Sequence, residues 1–137
     1  MKDILCIIDA NLNRVREGLR VCEDIARFAL KDKKLSLSLK LIRHNTTKAI
    51  LDSNKVSLRK LVDKRDVKKD PSKFVDFRKN KDIPKIFMSN IQRAKESLRV
   101  LEECSSAVDK GLSPKYRKLR FNAYDVEKKF SNKINTL

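Results

Sequence analysis

Apolar residues in this chain recur at spacings of three and four. Leu12, Val15, Leu19, Cys22, Ala26 and Ala29 form one stripe, and Leu35, Leu39, Ile42, Thr46 and Ala49 form a second. Ile91, Ala94, Leu98, Leu101 and Ser105 trace a third, and Tyr116, Leu119, Ala123, Val126 and Phe130 a fourth. A helix turns about 100° per residue, so each stripe lies on one face. Asp3 and Asp82 precede the first and third stripes as candidate N-caps. Pro84 stands just inside a helix start, where its missing N–H is harmless, and Gly111 follows the third stripe as a candidate terminator. A short helical stretch, Val56 to Val62, leads into the polar run DKRDVKKDPSK. The pattern predicts an all-α bundle of two repeated helical hairpins with pseudo-two-fold symmetry. It places them at about 2–52 and 81–137, joined by a partly irregular linker, 53–80, within a single domain, 1–137. A linker of that length inside a compact domain is often functional or disordered.

The two hairpins also share polar residues. KDILCIIDANLNRVREGLRVCED (2–24) and KDIPKIFMSNIQRAKESLRVLEE (81–103) align at an offset of 79 with eleven identities in 23 positions. Seven of these are polar: Lys2/Lys81, Asp3/Asp82, Asn11/Asn90, Arg14/Arg93, Glu17/Glu96, Arg20/Arg99 and Glu23/Glu102. A repeat kept only for packing would hold its apolar stripe and let its surface drift. The retained polar set therefore reads as a functional surface built twice. Weaker echoes at an offset of 77 pair Leu35/Leu112, Ser36/Ser113, Arg43/Arg120 and Asn45/Asn122.

Composition narrows the chemistry. Only two Gly and three Pro occur, which disfavours a turn-rich sheet fold and leaves no glycine loop to cradle phosphate. There is no long apolar run for a membrane span and no secretory leader, so a cytoplasmic protein is expected. Cys6, Cys22 and Cys104 lack metal-ligand spacing and read as reduced, mostly buried thiols. The net charge of +16 attracts anions: nucleic acid, acidic membranes or phosphorylated metabolites. Most of that excess is scattered Lys, whereas Arg sits regularly in the repeat.

Asn11, Arg14 and Gly18 share a strip beside the apolar stripe, repeated as Asn90, Arg93 and Ser97. Small residues at Gly18 and Ser97 admit a ligand or a close helix crossing. Glu17, Arg20 and Asp24 form a more outward strip, repeated as Glu96, Arg99 and Glu103, with Glu23 and Glu102 nearer the apolar edge. Such charges can be ordinary helix-face ion pairs. They can also form a phosphate grip, since an Arg fork binds phosphate through paired donors and nearby carboxylates can hold Mg²⁺. His44 is a lone, structural histidine, and Arg43 and Arg120 are the better anion candidates.

The block Asp9, Ala10, Asn11, Arg14, Glu17, Gly18, Leu19, Arg20, Val21, Glu23 and Asp24 resembles the opening of a helical domain often fused ahead of thiamine-phosphate synthase. That domain is known as the second, non-ribokinase type of hydroxymethylpyrimidine-phosphate kinase. Leu41, Arg43 and His44 match its LRH element. Arg65, Asp66 and Asp70 match its R-D-T-x-x-D-V-G stretch, with Val67 and Pro71-Ser72 departing from it. Asn90, Arg93, Glu96 and Leu98 to Glu103 match its second long block, and Leu119 with Arg120 its late LRY. The resemblance implies the stand-alone form of that domain. It implies ATP-dependent phosphorylation of 4-amino-5-hydroxymethyl-2-methylpyrimidine phosphate to the diphosphate, a step of thiamine biosynthesis, with ATP and Mg²⁺. On this basis Arg14, Arg20, Arg43, Arg65, Arg93, Arg99 and Arg120, with Glu96, are expected at the substrate phosphates. Glu17, Asp66 or Asp70 would hold Mg²⁺ or orient the attacking hydroxyl, and Asn11 and Asn90 would read the aminopyrimidine edge. A small bundle has little internal room, so a homo-oligomer completing the site is expected. The competing readings are a basic helical nucleic-acid-binding protein and another Arg-rich helical enzyme, such as a chorismate-mutase-like bundle. The Phe and Tyr residues, spread over helical or isolated positions, give no stacking platform for the first of these.

Overall fold

The computed structural model of the protein describes residues 1–70 and 82–135. Among the described residues five α-helices follow in chain order: α1 (Lys2–Asp24), α2 (Lys33–Leu51), the short α3 (Leu58–Asp63), α4 (Ile83–Ser105) and α5 (Leu112–Asn135). No strand occurs among the described residues. The fold is all-α, as the periodicity predicts.

The four long helices close a ring of contacts in which α1 packs on α2 and α4, and α5 packs on α4 and α2. The apolar stripes meet at its centre. Ile8, Val15, Leu19, Leu39, Ile91, Leu98, Leu101 and Ala123 are fully inaccessible, each large aliphatic contributing about 1.5–3 kcal/mol by burial. Phe87 stacks on Phe130 with centroids 3.6 Å apart. The Tyr116 hydroxyl donates to the Thr46 carbonyl at 3.0 Å, so a buried polar group is satisfied and α5 is tied to α2.

α1 and α4 run antiparallel and cross closely. A Cβ on Gly18 would lie 2.9 Å from the Asn90 carbonyl oxygen and 3.8 Å from the Ala94 Cβ. The Cys22 thiol, one turn further along α1, reaches the Phe87 carbonyl at 3.5 Å. Gly18 therefore serves the helix crossing, the second of its two predicted roles.

Three helix ends differ from expectation. Asp3 lies inside the first turn of α1, where its charge favours the helix N-terminus, but the cap position is Met1. Asp82 does cap α4, accepting from the Lys85 amide at 3.0 Å. Gly111 does not end α4; the helix ends at Ser105, and Gly111 sits just before α5 with its amide donating to Asp109 Oδ1 at 2.9 Å. α1 also stops before Ala29, because Ile25–Ala29 widens into a π-helical turn. Lys31 follows at φ 53°, the left-handed position that reverses the chain. Asp32 then caps α2.

The linker is partly regular. Val56 is buried, Ser57 caps α3 by accepting from the Lys60 amide, and Leu61 anchors α3 in the core. Beyond α3 the chain lies along α1 as far as Asp70. Pro71-Ser72 and the rest of the basic run to Lys79 lie outside the described residues.

Candidate functional site

Among the described residues, three clefts on the outer surface are lined by residues of the two long repeated blocks. The first, of about 630 Å³, lies between the N-terminal half of α1 and the 64–70 segment. Asp9, Arg14 and Glu17 form one wall; Arg65, Asp66, Lys69 and Asp70 form the other. Asp9 is 5% exposed and accepts from Arg65 Nε and Nη2, both at 2.7 Å. A buried carboxylate demands such a partner. These bonds in turn hold the Arg65 guanidinium more firmly in its charged form. The Cys6 thiol donates to the Lys64 carbonyl at 3.1 Å, a second attachment of the segment.

The second cleft, of about 550 Å³, continues along α1 toward α2 and shares Asn13 and Glu17 with the first. Arg16, Arg20, Val21, Asp24 and Arg43 complete it. The third, of about 320 Å³, uses the corresponding residues of the second repeat: Gln92, Lys95, Glu96, Arg99 and Arg120, with Tyr124.

The two repeats build the same internal clasp. Arg43 holds Glu23 at 2.8 Å, and Arg120 holds Glu102 at 3.0 Å. These four side chains are at most 16% exposed, so each pair staples a long helix to the one after it. A buried pair is costly to break because one charge is left without compensation. Likewise Asn11 donates to the Ile7 carbonyl at 2.9 Å and Asn90 to the Ile86 carbonyl at 2.8 Å. Each amide thereby spends one donor on its own helix.

The predicted residues divide accordingly. Arg14, Glu17, Arg65, Asp66 and Asp70 come together in the first cleft. Arg20 and Arg43 line the second, and Glu96, Arg99 and Arg120 the third. Arg20 pairs with Asp24 at 3.8 Å and Arg99 with Glu103 at 2.9 Å. These are exposed i,i+4 pairs worth about 0.3–0.5 kcal/mol, which an incoming phosphate can displace. Arg14 and Arg93 are exposed. The antiparallel register through Gly18 and Asn90 sets them at the same level of the α1–α4 crossing. Asn11 and Asn90 lie on that crossing rather than in the clefts. His44 is exposed on α2 and lines none of the three. Asp9, Asn13, Arg16 and Lys69 also line the first two clefts but lie outside the repeated polar strips. Asp9 had a signal: a carboxylate among Leu5, Ile8 and Leu12, where the second repeat has Met88.

The first cleft carries four carboxylates and three cations, a balance unlike the chain's large positive excess. Among the described residues no group of three His, Cys, Asp or Glu could cage a metal. Mg²⁺ needs no such cage when it arrives on phosphate oxygens, since one or two carboxylates and water complete its shell. Glu17 and Asp66 fit that lesser role.

The model of the ThiD2 family matches residues 6–129, spanning both long blocks and the cleft segment. This chain belongs to the ThiD2 family. The chain is 37% identical over 121 residues to a protein of Synechococcus sp. (strain CC9605) named thiamine-phosphate synthase, covering 88% of this chain and 33% of that one. Proteins of the same name from Prochlorococcus marinus subsp. pastoris (strain CCMP1986 / NIES-2087 / MED4) and Thermosynechococcus vestitus (strain NIES-2133 / IAM M-273 / BP-1) are 38% and 33% identical, again over 88% of the chain and 33% of their own length. This ThiD2-family chain thus spans about a third of the curated relatives it matches. No solved structure gives a significant match.

Proposed function

We propose that this protein acts in thiamine biosynthesis as a phosphotransferase. It would transfer the γ-phosphoryl group of ATP to 4-amino-5-hydroxymethyl-2-methylpyrimidine phosphate in the cleft between α1 and the 64–70 segment. The family membership and the relatives' name support the pathway. The observation that carries the chemistry is the meeting of Arg14, Arg65, Glu17 and Asp66 across one cleft, continuous with a second lined by Arg16, Arg20 and Arg43.

Phosphoryl transfer asks for positioning and charge neutralisation more than covalent help. An oxygen of the substrate's phosphate monoester bonds to the γ-phosphorus. The bond from that phosphorus to the β,γ-bridging oxygen breaks, and ADP leaves with the electron pair. The attacking oxygen is already largely ionised at neutral pH, because the second pKa of a phosphate monoester is about 6. The attacking group is therefore not a hydroxyl needing a base, and Glu17 and Asp66 are assigned to Mg²⁺ rather than to proton abstraction. Arg14, Arg16 and Lys69 supply donors to phosphate oxygens along the two clefts. An oligomer that brings Arg93 of a second copy to this surface fits the same scheme.

Steady-state kinetics on Arg14→Ala and Arg93→Ala test the assignment. A loss of at least tenfold in kcat/KM for Arg14→Ala is expected, and unchanged turnover in both, with folding intact, would remove them from the site. A second reading, nucleic-acid binding, draws on a tilted aromatic pair on the surface of α5. Phe121 and Tyr124 lie 5.7 Å apart, 53% and 41% exposed, with the Arg120 guanidinium over both rings and Arg117 over Phe121. A thermal-shift screen with MgATP, the pyrimidine monophosphate and a nonspecific RNA separates the two. Stabilisation by RNA alone would overturn the kinase reading.

A further inference from the structure

We propose that Asp9 is a positioning residue: it latches Arg65, and with it the Asp66-bearing 64–70 segment, over the first repeat. The inference rests on the function proposed above and assigns its chemistry to one repeat. Asp9 is a buried anchor and Arg65 a half-exposed arm, with side-chain exposures of 8% and 38%. Both oxygens of Asp9 are engaged by Arg65, a planar bidentate geometry that fixes direction as well as distance. Asn13 Nδ2 donates to Asp9 Oδ1 at 3.4 Å, and Cys6 grips the neighbouring Lys64 carbonyl. Cys6, Asp9 and Asn13 thus form one face of α1 that holds the segment at two consecutive residues. Residues 64–69 are exposed, and among the described residues their other hydrogen bonds are local, to the end of α3 and between Asp66 and the Lys69 amide, so the bonds to α1 are what dock them on the first repeat.

The second repeat cannot copy this. Its corresponding residues are Lys85, Met88 and Gln92, none able to receive a guanidinium fork as Asp9 does. Its cleft is moreover occupied by its own pairs. Lys95 is held by both oxygens of Glu127 at 2.9 and 2.8 Å, where the first repeat offers the exposed Arg16. The polar motif is written twice, but among the described residues only the first copy receives a second wall with carboxylates.

The experiment compares wild type, Asp9→Asn, Arg65→Gln, the double variant and Arg65→Lys. Backbone ¹H–¹⁵N heteronuclear NOEs report the order of residues 64–70, and steady-state kinetics use MgATP and the pyrimidine monophosphate. The latch predicts that both single variants lose NOE in 64–70 while amide shifts in the four long helices persist. If the docked segment falls to about a tenth of molecules, KM rises about tenfold. The double variant should be no worse than either single one, because the two residues act as a unit, and Arg65→Lys should recover part of the loss. An ordered segment in Asp9→Asn, or a disordered one with kcat/KM unchanged, overturns the proposal. Should Asp9→Asn fail to fold, Arg65→Gln carries the test, since its side chain reaches solvent. Wild type without phosphoryl transfer would sink the proposed function instead. The latch is then judged on the NOEs and on a Mg²⁺–pyrophosphate titration, expected to bind about tenfold more weakly to Asp9→Asn, with equal binding counting against it.

Discussion

Replacing Gly18 with alanine sets two effects of opposite sign against each other. In an unencumbered helix interior the change stabilises by about 1 kcal/mol, because glycine is the poorer helix former. Here the new Cβ would stand 2.9 Å from the Asn90 carbonyl oxygen, where ordinary contact begins at 3.4 Å. The obstacle is backbone, so no side chain can swing aside. α1 and α4 must part by about half an ångström at their crossing, and overpacking of this kind costs about 1–3 kcal/mol. The net expectation is a loss of about 1 kcal/mol, which lowers Tm by roughly 3–6 °C in a domain of this size. Urea unfolding followed by circular dichroism at 222 nm reads both the midpoint and the slope. Gly111→Ala is the control, since its Cβ would meet only a movable Asp109 carboxylate oxygen at 3.3 Å; it should stay within about 0.5 kcal/mol of wild type. A Gly18→Ala protein more stable than wild type by about 1 kcal/mol would refute the close crossing, and with it the register that levels Arg14 with Arg93.

Ser105 is fully buried and its hydroxyl lacks a hydrogen-bond partner among the described residues; the first repeat has Ala26 there, so Ser105→Ala should stabilise by about 1 kcal/mol in the same urea assay, and destabilisation would mean that the hydroxyl is satisfied. Asp32 has its carboxyl held below the ordinary range, first by the Leu35 amide and then by Lys133. Its stabilisation is full above the unfolded value of about 3.9 and lost as pH falls through the lower folded one, so the drop in urea midpoint from pH 5 to pH 3 should shrink in Asp32→Asn; an identical drop would remove Asp32 as a source. Burial pushes the Cys22 thiol up to about 12, so iodoacetamide at pH 8 should modify Cys6 and Cys104, which are half-buried, and spare Cys22. Because Cys6 lines the first cleft, bound MgATP should slow its alkylation, and equal rates with and without nucleotide would place the ligand elsewhere.

Periodicity alone specified the helices, because a stripe at spacings of three and four has one way to bury itself. The core residues on Leu12, Leu39, Leu98 and Leu119 follow from it. The doubled polar motif marked which helix faces carry charge, and the family resemblance picked out Arg65, Asp66 and Asp70 from a linker that periodicity leaves blank. What the linear pattern does not contain is the partner of each charge. Arg43 and Arg14 look alike in sequence, yet one is enclosed against Glu23 and the other is open to the cleft. Nor does the pattern announce that Asp9 and Arg65, 56 residues apart, form one joint. Helix formation is governed by near neighbours, whereas ion pairing depends on which distant surfaces the packed core brings together. Two nearly identical strips therefore became different surfaces only when the chain after α3 settled on one of them.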